Sequence, residues 1–409
     1  MKKLFLITLL GMLFSCHQEQ NTVILPEGAI PITYGHGWIF PVKLYDTIPG
    51  NFLFDTGCLS LFLDSLYLSS IPLDTVGKTG AYTLYGSGEG KQETKYIRGP
   101  LDCSLDTLSS IMPYAVICQL KPTSGKSLDG IVGWDYLKDR IVEFNVDGQY
   151  IRLISPDSLH TLQGYKQLPL IRDGYWWYIK AKVAITDSLE IEGEFFFDTG
   201  YTSGSSNILF TTAVAEQNNF SAILADTIAY YTNAGGFGGK SRRVSFRAKS
   251  ITIGDFEIKA PIASYSRDTA GILSVGNYRG FYKNHNGLFG VGLLEHFDVI
   301  IDFPHKQLYL RPSKNFDKED KFSRTGFSCI DRTDICDGLI VKGMEKQQNA
   351  EKAGIRLEDT ITHINKKAVT KLPEEEIKNI MQKAKSVDLT IRRGNEILQI
   401  KLPLIDKNI

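Results

Sequence analysis

The sequence predicts a mainly β protein with two lobes related by an internal duplication, followed by a smaller C-terminal unit. Aromatic residues make up 11% of the 409 residues, and short runs rich in Val, Ile, Phe and Tyr recur between glycines and prolines, as is typical of strands. Residues 52–57 read Phe-Leu-Phe-Asp-Thr-Gly, and residues 195–200 read Phe-Phe-Phe-Asp-Thr-Gly. The residue pattern changes after position 324, which indicates a separate domain.

The two Asp-Thr-Gly tripeptides lie in repeated surroundings. Each follows an aromatic-rich strand and a turn, so each is predicted to close the second strand of a hairpin. Further along, Ile131-Val132-Gly133 in the first copy matches Leu288-Phe289-Gly290 in the second. The predicted organisation is lobe 1 over residues 30–156, a join over 157–169, lobe 2 over 170–312 and a charged linker over 313–324.

The charge balance argues against a nucleic-acid partner. Lys+Arg and Asp+Glu each number 46, so the formal net charge is zero, and no basic surface is indicated. Hydrophobic content of 43% and charged content of 22% are typical of a soluble globular protein. The sequence lacks the Cys/His spacing of a zinc site, so we expect neither a metal nor a cofactor.

The first 16 residues have the pattern of a secretion signal. Lys2 and Lys3 precede an apolar run over residues 4–14, which suits a signal peptide and is too short to span a bilayer. The Leu-Phe-Ser-Cys ending resembles a bacterial lipobox. This resemblance implies that Cys16 is lipidated and anchors the protein in the bacterial cell envelope, with residues 17–29 as a polar tether. The alternative is an ordinary signal sequence that is cleaved elsewhere.

Five further cysteines leave the disulfide pattern open. Disulfides are permitted outside the cytoplasm. Cys103 with Cys118, and Cys329 with Cys336, could each close a hairpin-sized loop. Free thiols are the alternative for all four residues.

The aspartates of the tripeptides are the candidate catalytic residues. Asp is depleted in strands and costly to bury. The positions of Asp55 and Asp198 at the ends of apolar strands therefore indicate a functional role. Two carboxyl groups that share one proton can hydrolyse a peptide bond, because one activates water and the other hydrogen-bonds the carbonyl group. A duplicated unit supplies such a pair on a pseudo-two-fold axis.

The residues that follow each aspartate support this interpretation. Gly57 and Gly200 permit a tight turn at the end of each strand. The hydroxyl groups of Thr56 and Thr199 are suited to hydrogen-bond across the axis and hold the two loops together.

These residues resemble the catalytic loops of aspartic proteases, and the Ile131 and Leu288 motifs resemble the segments that brace those loops. Tyr85-Gly86-Ser87-Gly88 is similar to the tip of the pepsin flap, and Gly235-Gly236-Phe237-Gly238 is similar to a second flap, as in retroviral proteases. The resemblance covers about residues 30–312. It implies a double β-barrel like two fused retropepsin units, a monomeric protease core, and endopeptidase activity on peptide or protein substrates.

The position after each tripeptide departs from that family. Pepsin-like enzymes carry Ser or Thr there and retroviral enzymes carry Ala, whereas this chain has Cys58 and Tyr201. Cys58 is a weak hydrogen-bond donor, and Tyr201 is too long to reach the adjacent carboxylate. One alternative is a catalytically inactive envelope lipoprotein that binds extended peptides. Another is a structural or envelope-assembly protein whose C-terminal domain carries the function.

Residues 325–404 resemble a bacterial PDZ domain. Residues 349–355 read Asn-Ala-Glu-Lys-Ala-Gly-Ile, which matches the family's Pro-Ala-x-x-Ala-Gly-Leu signature. The resemblance implies that a C-terminal peptide tail pairs with the strand beginning at Gly338-Leu339-Ile340 and packs against a helix that bears Ile377 and Met381. The alternative is a packing module without a ligand.

Overall fold

The structure is a computed structural model that describes residues 25–34, 37–69, 71, 79–202, 206–274 and 285–407. The predicted signal segment with Cys16, and residues 17–24 of the predicted tether, lie outside the described residues. Within the described ranges, no helix is both long and apolar enough to cross a membrane.

Strands make up most of the regular structure. Those of the first lobe region are β1 (Ala29–Pro31), β2 (Thr33–Tyr34), β3 (Trp38–Leu44), β4 (Ile48–Asp55), β5 (Leu61–Asp64), β6 (Thr79–Tyr85), β7 (Lys91–Leu105), β8 (Leu108–Cys118), β9 (Gly130–Gly133), β10 (Ile141–Asn145) and β11 (Tyr150–Leu153). The second lobe region has β12 (Lys166–Pro169), β13 (Ile171–Asp173), β14 (Trp176–Ala184), β15 (Glu190–Phe197), β16 (Ile208–Phe210), β17 (Ile228–Thr232), β18 (Ser241–Arg247), β19 (Ser250–Ile253), β20 (Phe256–Lys259), β21 (Ile262–Ser266), β22 (Gly287–Phe289), β23 (Phe297–Asp302) and β24 (Gln307–Pro312).

The C-terminal region adds further strands, and the helices are short. Its strands are β25 (Phe327–Asp331), β26 (Leu339–Glu345), β27 (Thr360–Ile364), β28 (Lys367–Ala368), β29 (Ser386–Arg393) and β30 (Glu396–Pro403). The α-helices are α1 (Ser65–Leu68), α2 (Lys121–Ser124), α3 (Thr212–Gln217), α4 (Phe220–Ile223), α5 (Val291–Leu294), α6 (Thr333–Cys336), α7 (Asn349–Lys352) and α8 (Glu374–Lys383). Turns of 3-10 helix cover Trp134–Tyr136, Pro156–Thr161, Gly236–Gly238 and Val369–Lys371.

The two lobes repeat one strand arrangement, which is the structural counterpart of the duplicated sequence. In lobe 1, β3 and β4 form a hairpin and β4 runs parallel to β9. In lobe 2, β14 and β15 form the hairpin and β15 runs parallel to β22. In both copies, the strand that leads into the tripeptide lies between its hairpin partner and the apolar-apolar-Gly motif. The predicted fold class, mainly β with duplicated lobes and a further C-terminal domain, is confirmed.

A six-stranded sheet joins the lobes, in the order β1-β11-β10-β23-β24-β12. Val142 on β10 lies opposite Ile301 on β23 of the other lobe. Phe144, also on β10, is fully buried, and its ring stacks on Phe54 with centroids 5.3 Å apart. Burying such a ring contributes about 1.5–3 kcal/mol, and the stacked pair adds about 0.5–1.5 kcal/mol. Because Phe54 directly precedes Asp55, the joining sheet also fixes the strand that carries this aspartate.

The C-terminal domain continues a sheet of lobe 2. Its strand β26 pairs antiparallel with β17, so that Tyr231 lies opposite Met344 and Thr232 lies opposite Gly343. The chain passes from β17 directly into the second predicted flap. The C-terminal domain and this flap are therefore held in one continuous sheet.

The segment predicted as a charged linker, residues 313–324, packs against lobe 2. Phe322 is 5% exposed and lies in a cluster with Ile228 and Ile262. The Asp320 carboxylate accepts a hydrogen bond from the Ile262 N–H at 3.3 Å. The segment is therefore a fixed connection and not a free tether.

The cysteines that the structure describes are all free thiols. Cys103 on β7 lies opposite Ser110 on β8, whereas Cys118 is the last residue of β8. This register separates the two cysteines by most of a strand, and a disulfide needs Cα atoms within about 7 Å. Cys329 and Cys336 are likewise unlinked. Neither of the disulfides that the spacing allowed is present.

Candidate active site

The two tripeptides meet where the lobes join. Asp55 ends β4, Asp198 directly follows β15, and their carboxyl groups lie against the same glycine, Gly57. A Cβ atom placed on Gly57 would lie 2.9 Å from an Oδ1 atom of either aspartate, and one placed on Gly200 would collide with the Asp55 carboxyl group. The close approach of the two carboxyl groups therefore requires glycine at both positions.

The threonines join the two loops through a symmetrical set of hydrogen bonds. The Thr56 hydroxyl accepts from the Thr199 N–H at 3.0 Å and donates to the Phe197 carbonyl at 2.5 Å. The Thr199 hydroxyl accepts from the Thr56 N–H at 3.0 Å and donates to the Phe54 carbonyl at 2.8 Å. Both threonines are fully buried, so each bond satisfies a group that would be costly to bury without a partner.

The apolar-apolar-Gly motifs lie directly beside the two Asp-Thr-Gly loops. Asp55 is opposite Gly133 in the parallel pair of β4 and β9. The Asp198 N–H donates to the Phe289 carbonyl at 2.9 Å. A Cβ atom on Gly133 or Gly290 would collide with the backbone of the loop beside it. The other members of the motifs form buried strand positions: Ile131, Val132 and Leu288.

The two carboxyl groups have unequal pKa values. Burial raises the pKa of Asp55, and hydrogen bonds from the Cys58 thiol and the Gly57 N–H oppose this rise. Burial, followed by the charge of Asp55, raises the pKa of Asp198 well above its usual range. Like charges in contact cannot both ionise. The pair therefore shares one proton.

Cys58 and Tyr201, the residues that follow the two tripeptides, take different positions. The Cys58 thiol donates to Asp55 Oδ2 at 3.1 Å. Burial and the neighbouring Asp55 charge raise the pKa of this thiol well above its usual range, so it stays protonated and available as a donor. The Tyr201 hydroxyl instead accepts from the Arg243 guanidinium at 3.4 Å. Asp55 thus has a weak side-chain donor at the position after the tripeptide.

The two predicted flap tips meet across the cleft that contains the aspartates. The Gly90 N–H donates to the Gly238 carbonyl at 2.8 Å, and the Gly238 N–H donates to the Ser87 carbonyl at 3.1 Å. The Phe237 ring stacks on Phe62 of lobe 1 with centroids 5.6 Å apart. The remaining tip residues are also close together: Gly86 lies against Phe237, Gly88 against Gly235, and Gly236 against Ser87. Tyr85 is 57% exposed, so its ring faces mainly solvent.

An acidic residue that the sequence does not single out ties the two tips together. The Glu89 carboxylate accepts from the Thr269 N–H and hydroxyl, both at 2.9 Å, and from the Arg242 guanidinium at 2.5 Å. These hydrogen bonds lower the pKa of Glu89, the Thr269 N–H contributing most, so it is ionised at neutral pH. No local pattern marks Glu89, because its partners belong to the other lobe.

The strand predicted to pair with a peptide, β26, does not have an open edge at residues 338–340. Leu339 lies between Asp331 and Ile361, and Ile340 likewise has a partner strand on each side. A Cβ atom on Gly338 would collide with Thr360. The predicted peptide-pairing edge at residues 338–340 is therefore wrong, because both of its sides are already occupied.

The available edge is the preceding strand. Among the described residues, β25 pairs with β26 alone. Phe327 on β25 and Leu372, just before α8, are buried in the domain's core, and Ile377 and Met381 on α8 pack against that core. An apolar groove therefore lies between β25 and α8. The signal in the sequence was the Thr-Gly-Phe at residues 325–327, which opens this strand just as Gly-Leu opens β26.

Comparison with known proteins identifies the C-terminal domain. Residues 315–392 match the family model described as PDZ domain, which confirms the predicted presence of this domain. A crystal structure of aspartic proteinase from Irpex lacteus aligns with a TM-score of 0.42 and 15% identity, covering 71% of this chain and 98% of that chain. No curated protein matches the chain. The chain thus carries a PDZ domain fixed to a duplicated, mainly β body that brings two aspartates together.

Proposed function

We propose that the chain is an aspartic endopeptidase that hydrolyses peptide bonds with a water molecule held by Asp55 and Asp198. The observation that carries this proposal is the close pair of carboxyl groups, which is fixed by the threonine bonds across the lobe boundary. Two acids held this close would be costly in a purely structural role, because their charges repel each other. A pair that shares one proton is suited to acid and base chemistry in one site.

We assign the two roles from the environments of the carboxyl groups, since the Cys58 thiol donates to Asp55. Asp55, ionised and hydrogen-bonded by Cys58, takes a proton from water as the new oxygen–carbon bond forms at the peptide carbonyl. Asp198, which holds the shared proton, gives it to the carbonyl oxygen, so a neutral tetrahedral diol results. This division of labour follows from the general rule that two titratable groups with separated pKa values act as acid and base.

Collapse of the diol restores the pair. Asp55, now protonated, passes its proton to the leaving nitrogen, and Asp198 takes one from a diol hydroxyl as the carbon–nitrogen bond breaks. The products are a carboxylic acid and an amine, and the pair again holds one proton on Asp198. The threonine bonds keep the two carboxyl groups in register throughout, which is the positioning contribution that the protein makes.

The test is cleavage of a peptide library by the purified protein, followed by mass spectrometry of the products. A statine-type inhibitor, whose hydroxyl would take the place of the attacking water, should block the cleavage. Hydrolysis that persists at saturating inhibitor would assign the activity to another site. Stable binding of peptides without any cleavage would favour the inactive peptide-binding protein instead.

The PDZ domain is proposed to hold a tail of the substrate or of a partner protein. PDZ domains bind a peptide as an added strand at a sheet edge. The open edge of β25 and the apolar positions Ile377 and Met381 supply the two sides of such a groove. This domain then raises the local concentration of substrate near the aspartates without taking part in the chemistry.

A pH profile should report the thiol beside Asp55. We expect a bell-shaped profile of kcat/KM centred at weak acid, about pH 5–6.5, because burial raises the pKa of Asp55 more than the hydrogen bonds from the Cys58 thiol and the Gly57 N–H lower it. The acid limb reflects ionisation of Asp55. Cys58→Ser, with a stronger donor, should shift this limb to lower pH, and Cys58→Ala, with none, should shift it to higher pH. Shifts in the same direction for both variants would show that the thiol does not set this pKa.

Lipidation is proposed for Cys16, on the lipobox-like sequence alone. We expect the mature protein to partition into detergent and to carry acyl groups on an N-terminal cysteine, as intact-mass spectrometry would show. Cys16→Ser should release the protein in soluble form. An unmodified N-terminus at any other residue would contradict the anchor and, with it, the proposed place in the bacterial cell envelope.

A further inference from the structure

The flap tips close the cleft from one side. Residues 85–90 of lobe 1 and residues 234–242 of lobe 2, here called the roof, are joined by backbone hydrogen bonds that include Glu89 N–H to the Lys240 carbonyl at 2.8 Å. The Glu89 carboxylate adds an ion pair to Arg242 across the same seam. A polypeptide can reach the aspartates beneath a closed roof only from an end of the cleft, or after these bonds open.

One cavity runs from beneath the roof to the groove of the PDZ domain. It has a volume of about 1790 Å³ and is lined by both aspartates, by Gly125 of lobe 1, and by Asp331 and Met381 of the PDZ domain. Sites for small molecules usually measure about 300–1,000 Å³. The larger size and the elongated course suit several residues of an extended polypeptide.

The direction of a bound tail follows from the edge that is open. The neighbours of β25 and β26 in this part of the sheet are antiparallel, so we expect an added tail to run antiparallel to β25. Its C-terminal residue then lies beside Phe327, at the start of that strand, and its upstream residues leave the edge before Asp331, whose carbonyl is already bonded to lobe 1.

The upstream end of that path opens on the catalytic lobe. The Asp331 carbonyl accepts from the Lys126 N–H of lobe 1 at 2.8 Å, and Lys126 and Asp331 also form an ion pair at 3.3 Å. Gly125, Leu128 and Leu120 beside this contact line the cavity that holds the aspartates. A tail that leaves the PDZ groove in this direction therefore enters the catalytic cleft.

The groove is held at a fixed distance from the aspartates. The Asn233 N–H, at the base of the second flap, donates to the Lys342 carbonyl of β26 at 2.8 Å. The hydroxyl groups of Tyr230 and Ser328 hydrogen-bond at 2.7 Å, joining β17 to β25 itself. Together with the contact of Lys126 and Asp331, these bonds tie the PDZ domain to both lobes.

We propose that the groove on β25 and the roofed cleft form one substrate site, which takes the C-terminal end of an extended polypeptide and cuts it at a set number of residues from that end. This inference rests on the proposed endopeptidase function and adds its substrate class. Because the groove is fixed and each residue of an extended chain spans about 3.3 Å, the distance from the groove to the aspartates sets the number of residues between the C-terminus and the cleaved bond. We call this the measuring role of the PDZ domain.

The test uses substrates in which a repeating dipeptide is fused to a C-terminal tail that binds the PDZ domain. Every second peptide bond of the repeat is chemically the same, so a preference among these bonds reports position and not sequence. We expect one main cut, mapped by mass spectrometry. When two, four or six residues are inserted between repeat and tail, the cut should stay at the same count from the C-terminus. A C-terminal amide should lower kcat/KM by about 10²-fold.

Protein variants provide a second readout. Met381→Glu places a charge in the groove and should spread the cuts over many bonds of the repeat. Gln382→Glu places the same charge on an exposed position of the same helix and should keep the single cut. Thermal unfolding of both variants checks that the fold is retained.

The outcomes separate the two proposals. A cut whose distance from the C-terminus changes with each insertion, or which ignores the amide, would overturn the measuring role while leaving the endopeptidase function intact. No cleavage of any peptide, tailed or untailed, would overturn the proposed function and this inference with it.

Discussion

Replacing either Asp55 or Asp198 with Asn should lower kcat/KM by roughly 10²–10⁴-fold, the usual contribution of positioned acid–base groups. The reason is that the proposed mechanism needs both carboxyl groups, Asp55 to accept the proton of water and Asp198 to supply one to the carbonyl oxygen. Because the two carboxyl groups work as a unit, kcat/KM of the double variant should be no lower than that of the less active single variant. The measurement is steady-state cleavage of the best library peptide.

Asp106→Asn is a suitable control, because it removes a carboxylate at an exposed turn and should leave the rate unchanged. A single variant of Asp55 or Asp198 that retains most of its rate would contradict the paired mechanism.

The dependence of stability on pH provides a test of the aspartate pair that does not depend on activity. Since burial and the Asp55 charge raise the pKa of Asp198, the folded protein retains a proton that the unfolded chain releases. The free energy of unfolding should therefore fall as the pH rises from about 4 towards neutrality, and less steeply in Asp198→Asn.

Thr56→Val should have the largest effect on stability outside the apolar core. It removes a hydroxyl that accepts from the Thr199 N–H and donates to the Phe197 carbonyl, and Val keeps the shape. Both partners stay buried without a hydrogen bond, which costs about 1–3 kcal/mol for each. We expect a loss of about 2–5 kcal/mol in the free energy of unfolding, measured by urea titration, together with most of the activity.

Thr56→Ser is the matched control, because it keeps the hydroxyl and removes only a methyl group. It should lie near the wild type in stability and in rate. The pseudo-symmetry also predicts a similar loss for Thr199→Val, whose hydroxyl makes the equivalent pair of bonds. Equal urea midpoints for Thr56→Val and Thr56→Ser would show that the cross-lobe bonds contribute little.

The site was predictable because its parts are local and occur twice. An apolar strand that ends at Asp-Thr-Gly is recognisable from six residues, and the second copy predicts which aspartate lies beside the first. The apolar-apolar-Gly motifs are equally local, and the structure sets both of them beside the loops. The PDZ signature at residues 349–355 identified its domain for the same reason.

The parts that sequence reasoning missed depend on contacts between distant segments. Whether a strand such as β26 has an open edge depends on which strands flank it, and its own residues do not show this. Leu339 reads as an edge strand, yet it is flanked by β25 and β27. Glu89 and Thr269 are 180 residues apart in the sequence and meet only in the folded protein. The charged residues of 313–324 suggested a solvated linker, but Phe322 within that segment anchors it to lobe 2.

The shared sheet of β17 and β26 has a consequence for the order in which the protein matures. A ribosome completes β17 long before it makes β26, and proteins fold from the N-terminal side during synthesis. Both aspartates and both flap sequences have therefore been synthesised while β17, the strand that leads into the second flap, still lacks its partner β26. An unfinished chain has Asp55 and Asp198 without the support for its roof, so we expect the proposed activity to appear only after the last domain has been synthesised.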